Sequence, residues 1–329
     1  MSCIENINRY IIPNDIITSL TKVYKYIGKN EVYEDITKSS INKILDQTLQ
    51  RDAYFLSKIL STTLTDARLK LIISKNSAPK NREEATLCNL IEVLADIQEN
   101  YKKYDYRSND QLNMINYIYQ SQNIKYDAKE LINNRSKRLL IDDLTEIVYN
   151  NKNNIESINL YTNYFIDLFN IKPFTQKNLS AALMTLYILL LKSDLQAFKY
   201  VSFFEMIYNN YNEFNDRLLD VSYNWKEGIS QPTSFIRFIL NVIIEAYEKA
   251  DSLVKEYKID QNISKGDNIE NTIYKLPNIF TKDQIRAIHP YVSESTINRA
   301  LQKLRDENKI KPLGKGRSAK WRKVSLSNI

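Results

Sequence analysis

Apolar residues recur at helical spacing in Leu87–Leu94, Ile155–Phe169, Leu179–Leu191 and Phe235–Tyr247, and each stretch predicts a helix. Strand-like alternation is nearly absent before residue 308. The prolines are sparse and fall at the edges of the apolar stretches, at Pro13, Pro79, Pro173, Pro232 and Pro277. The polar run Asp260–Asp267 contains Gly266 and reads as a linker. The pattern predicts a mainly α chain. An N-terminal helical lead over residues 1–50 and a helical domain over 51–260 precede a small domain over 261–329.

The last 60 residues change character. Ile269–Leu276 predicts a short helix, and Thr281 is placed to cap a second one, Lys282–Ile288. His289-Pro290 ends that helix. Ser293 then caps a third, from Glu294 to about Glu307, with Ile297, Leu301 and Leu304 on one face. Lys309–Leu313 and Ala319–Val324 read as strands joined by the basic turn Gly314-Lys315-Gly316-Arg317. Three helices followed by a basic two-stranded wing is the winged helix-turn-helix pattern, whose third helix enters the major groove of DNA. Ser295, Thr296, Asn298 and Arg299 are then placed to meet base edges. Lys303, Lys315, Arg317, Lys320 and Arg322 are placed to meet phosphates or the minor groove. The same pattern also serves protein contacts or dimerisation, with the wing merely solvated.

Charge favours the nucleic-acid reading. Residues 282–329 hold twelve Lys/Arg against four acids, a net of +8, while the whole chain carries +7. The positive charge therefore belongs to the C-terminal segment, as expected of a site for a polyanion. Composition removes several other classes. The five glycines (Gly28, Gly228, Gly266, Gly314 and Gly316) cannot build a Rossmann or P-loop phosphate cradle. His289 is the single histidine, and it falls in the helix-turn-helix turn, so a structural role is expected of it. Cys3 and Cys88 are too few for a zinc site or a disulfide framework. No apolar leader is visible, and the longest uncharged apolar stretch, Asn178–Leu191, is shorter than the ~20 residues of a membrane span. A cytoplasmic protein without membrane partners is expected.

The segment Lys172-Pro173-Phe174-Thr175-Gln176-Lys177-Asn178-Leu179-Ser180-Ala181-Ala182-Leu183 resembles the Fic (AMP-transferase) signature His-Pro-Phe-x-Asp-Gly-Asn-Gly-Arg-x-x-Arg. Predicted helices flank it as in that family. Trp225 and Ile229-Ser230-Gln231-Pro232, followed by the Phe235–Tyr247 helix, are similar to the family's tryptophan loop and closing helix. Upstream, Asp52-Ala53-Tyr54-Phe55-Leu56-Ser57-Lys58-Ile59-Leu60-Ser61-Thr62 is similar to its Glu-Ala-x-x-Ser-Ser-Lys-Ile-Glu-Gly-Thr segment. Many members also end in a winged helix. The resemblance implies a Fic-like helical bundle followed by a small winged-helix domain.

It also implies lost chemistry. Lys172 stands at the general-base histidine, and an ordinary ammonium cannot accept a proton at neutral pH. Gln176 stands at the acid that holds magnesium, Lys177 and Leu179 at the glycines of the anion nest, and Ser180 and Leu183 at the phosphate-clamping arginines. Pro173, Phe174 and Asn178 remain. Leu60 and Leu183 occupy both ends of the family's inhibitory Glu–Arg pair. The stretch from Asn133 to Asn151 lacks the Pro-Pro and Trp features of the target-docking hairpin. The expectation is an inactive Fic-fold protein that needs no cofactor or metal and works by binding, with DNA as its partner. A homodimer, or an inhibitor of a nucleic-acid-associated machine with a protein partner, is also compatible. Residual nucleotide binding would fall to Lys172, Lys177 and Asn178.

Overall fold

The computed structural model describes residues 2–75, 77–129, 136–262, 265–290, 292–314 and 319–324. The chain passes through α1 (Asn14–Ile27), α2 (Asn30–Thr37), α3 (Ile41–Ile59), α4 (Asp66–Lys75), α5 (Arg82–Asn100), α6 (Ser108–Ile118) and α7 (Lys137–Asn151). There follow α8 (Ser157–Ile171), α9 (Asn178–Lys192), α10 (Ala197–Tyr200), α11 (Phe203–Asn209), α12 (Tyr211–Ser222) and α13 (Thr233–Asn262). The C-terminal order is α14 (Lys265–Lys275), β1 (Ile279–Thr281), α15 (Lys282–Ile288), α16 (Glu294–Asp306), β2 (Ile310–Pro312) and β3 (Lys320–Lys323). Two compact units result: Met1–Glu31 with Leu45–Ala250, and Val32–Ile44 with Asp251–Ile329. Among the described residues no helix is long and apolar enough to cross a membrane.

The first unit is organised around α8 and α9. Both are apolar on nearly all sides, as expected of helices enclosed by others. Every residue of α9 from Ser180 to Leu191 is buried. Glu156 opens α8 by accepting from the backbone N–H groups of Ile158 (2.9 Å) and Asn159 (2.7 Å). Aromatic rings fill the gaps: Phe165 stacks on Phe235 at 5.6 Å, and Tyr187 on Phe203 at 5.7 Å.

Two carboxylates are enclosed in this apolar interior. Asp167 of α8 accepts from the backbone N–H of Cys3 (2.7 Å) and Ile4 (2.9 Å) and from Trp225 Nε1 (2.7 Å), tying the N-terminus and the 223–232 loop to the central helix. Asp52 of α3 accepts from Ser202 Oγ (2.6 Å), Phe204 N (3.3 Å) and Tyr187 Oη (3.4 Å). Burial disfavours both charged forms and outweighs these donors, so Asp167 is pushed up to about 6 and Asp52 to about 7. A carboxyl whose pKa is higher folded than unfolded stabilises fully below the unfolded value. That contribution is lost as pH rises through the folded value. Asp52 should therefore lower stability between about pH 4 and pH 7, by on the order of 3 kcal/mol. The neutral variant Asp52→Asn should gain stability relative to wild type as pH rises from 4.5 to 7.5, read from urea midpoints. A difference that does not change with pH would contradict this assignment.

In the second unit, Ile269, Ile273, Phe280, Ile285, Ile297, Leu301, Leu304, Ile310 and Trp321 form one core. The predicted caps are in place. Thr281 forms a full capping box with Gln284, and Ser293 Oγ accepts from Thr296 N at 3.3 Å. The sheet has the order β1-β3-β2 and is antiparallel throughout, so it has one strand beyond the expected two. Three residues, Ile279–Thr281, are too short a run to show alternation. The polar stretch read as a linker is helical up to Asn262 and again from Lys265. A lone glycine costs a helix only about 1 kcal/mol, so Gly266 does not by itself end one. Residues 32–44 also join this unit, through Tyr33 Oη to Asp251 Oδ1 (2.9 Å), Tyr257 Oη to Ser40 Oγ (2.8 Å) and Lys43 Nζ to the Val292 carbonyl (3.3 Å).

Candidate functional sites

The segment from Lys172 to Leu183 is a loop joining α8 to α9, followed by the first turns of α9. Lys172 ends α8 in the left-handed region at φ 47°, and Lys177 precedes α9 at φ 62°. The left-handed conformation at Lys177 is one that glycine adopts freely and a lysine holds at a cost of roughly 1 kcal/mol. The backbone thus keeps a glycine's path without the glycine.

Asn178 explains how the loop is held. Its Oδ1 accepts from Phe174 N at 2.8 Å, and its Nδ2 donates to the Phe174 carbonyl at 2.7 Å. The loop also pairs with residues 125–127. Asp127 N donates to the Pro173 carbonyl (2.8 Å), and Thr175 N donates to the Lys125 carbonyl (2.9 Å). This isolated bridge, Tyr126 to Phe174, left no alternating pattern in the sequence. Lys137, largely buried at the start of α7, donates to the Lys172 carbonyl (3.0 Å) and to Asp127 Oδ2 (2.7 Å). Asn178→Ala would strand the Phe174 N–H and carbonyl. A loss of about 1–3 kcal/mol is expected, measured as a lower urea midpoint; an unchanged midpoint would show that the amide holds nothing.

The remaining motif positions form no nucleotide cradle. Gln176 is exposed, Leu179 is half-buried, and Ser180 and Leu183 are buried. Tyr119 occupies the space beside two of them: its hydroxyl donates to Ser180 Oγ at 3.1 Å, and its ring lies 4.8 Å from Lys177 Nζ. Lys172 Nζ lies 5.8 Å from the Phe169 ring. Magnesium sites are built from carboxylate oxygens. Lys172–Leu183 contains no Asp or Glu, and nearby Asp127 is already paired with Lys137. Among the described residues no cluster of three His, Cys, Asp or Glu side chains could hold a metal. These residues do not fit a magnesium–nucleotide complex. Of the stretch read as lacking a docking hairpin, Lys137–Asn151 is α7, and residues 133–135 lie outside the described residues.

The C-terminal unit presents a different chemistry. Ile297, Ala300, Leu301 and Leu304 bury one face of α16. The opposite face exposes Ser295, Asn298, Arg299 and Gln302, spaced i, i+3, i+4 and i+7. Gln302 was missing from the sequence-based set, although its position in this series marks it. Thr296 is only half-buried and helps to hold the cap, with Oγ1 2.8 Å from Ser293 Oγ. His289 is buried, with Nε2 2.6 Å from Thr272 Oγ1, which joins the turn between α15 and α16 to α14.

The basic side chains fall into two groups. One group is consumed internally. Glu270, drawn below the usual carboxylate range by Lys309 beside it, takes Lys309 at 2.9 Å and Lys303 at 3.6 Å. Arg286 pairs with Glu294 at 2.6 Å, and Arg305 with Asp306 at 3.1 Å. Lys323 Nζ donates to the carbonyls of Tyr274 (2.8 Å) and Leu276 at the end of α14. The second group, Arg299, Lys311, Lys320 and Arg322, takes no ion pair among the described residues and is exposed. Lys320 and Arg322 flank buried Trp321 and therefore share the outer face of β3. Lys311 of β2 stands directly opposite Arg322. Lys315 and Arg317 lie outside the described residues.

No family model matches the sequence, and no curated protein matches it. Among solved structures the chain is similar to a Fic family protein from Desulfovibrio desulfuricans. The TM-score is 0.58 at 14% sequence identity, covering 97% of this chain and 99% of that one. The chain has a Fic-like, mainly helical fold with a small C-terminal sheet.

Proposed function

We propose that this chain, built on the fold of a Fic family protein, does not transfer nucleotides and works by binding duplex DNA through its C-terminal unit, as a regulator of transcription would. The observation that carries the proposal is the Lys311–Arg322 cross-strand pair, with Lys320 beside it on the same face. Like charges placed directly opposite each other destabilise a sheet by roughly 0.2–1 kcal/mol. An adjacent row of phosphates turns that cost into a gain. Other described cations from Arg286 to Lys323 are satisfied by Glu270, Glu294, Asp306 or helix carbonyls, so within this stretch the free ones lie on β2, β3 and the exposed face of α16.

The helix and strand order supports a winged helix, with α16 as the groove-reading helix and β2–β3 as the wing. Lys311, Lys320 and Arg322 are the phosphate contacts in this reading, with Lys315 and Arg317 extending the basic run. Asn298 and Arg299 face the bases, with Ser295 and Thr296 engaged at the helix cap beside them. Lys303, shared with Glu270, supports α16 and adds little to the field outside.

Inactivity follows from the motif loop. No base stands at Lys172, no carboxylate at Gln176 and no guanidinium at Ser180 or Leu183, and the retained Asn178 is engaged with Phe174. One feature favours a second reading, residual anion binding: Lys172 and Lys177 have no carboxylate partner among the described residues. One experiment tests the proposal against nucleotide transfer. The full chain is incubated with radiolabelled ATP, magnesium and candidate acceptors, and in parallel with labelled duplex DNA at 50–100 mM salt. The proposal expects a retarded duplex and no labelled protein. Label transfer, or no retardation at 50 mM salt, would refute it.

A further inference from the structure

The exposed face of α16 carries a more specific message, which rests on the DNA-binding reading just given. Most polar side chains of this helix are spoken for. Ser293, Ser295 and Thr296 bond among themselves at the cap, Lys303 goes to Glu270, and Arg305 goes to Asp306. Asn298, Arg299 and Gln302 are exposed and make no side-chain hydrogen bond or ion pair among the described residues. They lie side by side on the stripe opposite buried Ile297, Ala300, Leu301 and Leu304. Asp306, the acid on this stripe, sits on its last turn and is neutralised by Arg305.

We infer that Asn298, Arg299 and Gln302 are the base-reading side chains, and that the cognate half-site is a purine-rich run of about three base pairs with a guanine next to adenine. The reach follows from helix geometry. Asn298 to Gln302 advances the helix by about 6 Å, equal to about two base-pair steps of 3.4 Å, so the three side chains span about three base pairs. The base identities follow from donor and acceptor patterns. A guanidinium fork matches the two acceptors N7 and O6 of guanine. A carboxamide matches the N7 acceptor and N6 donor of adenine. Two carboxamides and one guanidinium on a single stripe therefore specify adenine twice and guanine once. Lys311, Lys320 and Arg322 hold the register through the backbone and carry no base preference.

The test is selection from a library of random duplexes by the full-length protein, followed by sequencing. It is repeated with Arg299→Ala, Arg299→Lys, Gln302→Ala and the wing variant Lys311→Ala/Lys320→Ala/Arg322→Ala. Exposed side chains without internal partners can be replaced without unfolding the unit. Wild type should enrich a short G/A half-site. Arg299→Ala and Arg299→Lys should each lose the guanine preference by roughly 5- to 150-fold, the lysine variant keeping its charge but not the fork. Gln302→Ala should relax an adenine position. The wing variant should bind more weakly but enrich the same bases. Enrichment unaltered by Arg299→Lys and Gln302→Ala would overturn this inference while leaving DNA binding intact. No recovery of duplex by the wild type would overturn both.

Discussion

Replacing Lys311, Lys320 and Arg322 together with alanine should lower duplex DNA affinity by roughly two to three orders of magnitude at 0.1 M salt. The estimate comes from counterion release. Each lost phosphate contact removes about 0.9 from the slope of log K against log salt, so three contacts remove about 2.7. Extrapolated from 1 M salt, where the electrostatic contribution vanishes, that slope change equals the stated loss. The side chains are exposed and Lys311 stands against Arg322, so the variant should fold as well as wild type or slightly better. A lower affinity together with a lower melting temperature would point instead to a structural role. Fluorescence anisotropy across a salt series measures the slope, and thermal unfolding supplies the control.

Leu183→Arg is expected to have the largest effect on the helical unit. Leu183 is fully buried in α9, with no carboxylate at Leu60, the place where the sequence resemblance puts its partner. A guanidinium introduced there has no counter-charge, and an uncompensated buried charge costs roughly 3–5 kcal/mol. The urea midpoint should fall accordingly, and the variant should gain no nucleotide-transfer activity, because Lys172, Gln176 and Ser180 are unchanged. A variant as stable as wild type would mean that the site still accommodates an arginine. The interior would then retain more of an anion pocket than the packing around Ser180 and Tyr119 suggests.

What could be read from the sequence depended on how local the cause was. The apolar runs gave α8 and α9 within about two residues, since burial on all sides writes a continuous hydrophobic signal. Thr281 and Ser293 were identifiable as caps because their partners lie three residues away. Contacts across long sequence separations left no such trace. Tyr33 with Asp251 and Lys43 with Val292 bring residues 32–44 into the C-terminal unit, and no periodicity announces them. The role of Asn178 was hidden for a related reason. Its identity suggested chemistry, whereas its hydrogen bonds show a loop lock. Charge counting located the basic segment, but only the geometry separated Lys303, Lys309 and Lys323, which are used internally, from Lys311, Lys320 and Arg322, which are not.

These observations describe a Fic-like helical body whose motif loop is closed on itself, and a basic C-terminal unit with cations left free on one strand pair and one helix face. In the proposed function those cations serve a nucleic-acid backbone. Titration of the wild-type chain with a random-sequence duplex from 50 to 300 mM salt tests it most directly. The predicted result is measurable binding at 50 mM that weakens along a straight line in log K against log salt, with a slope of about −3 or steeper. Binding that is absent at 50 mM, or insensitive to salt, would contradict it.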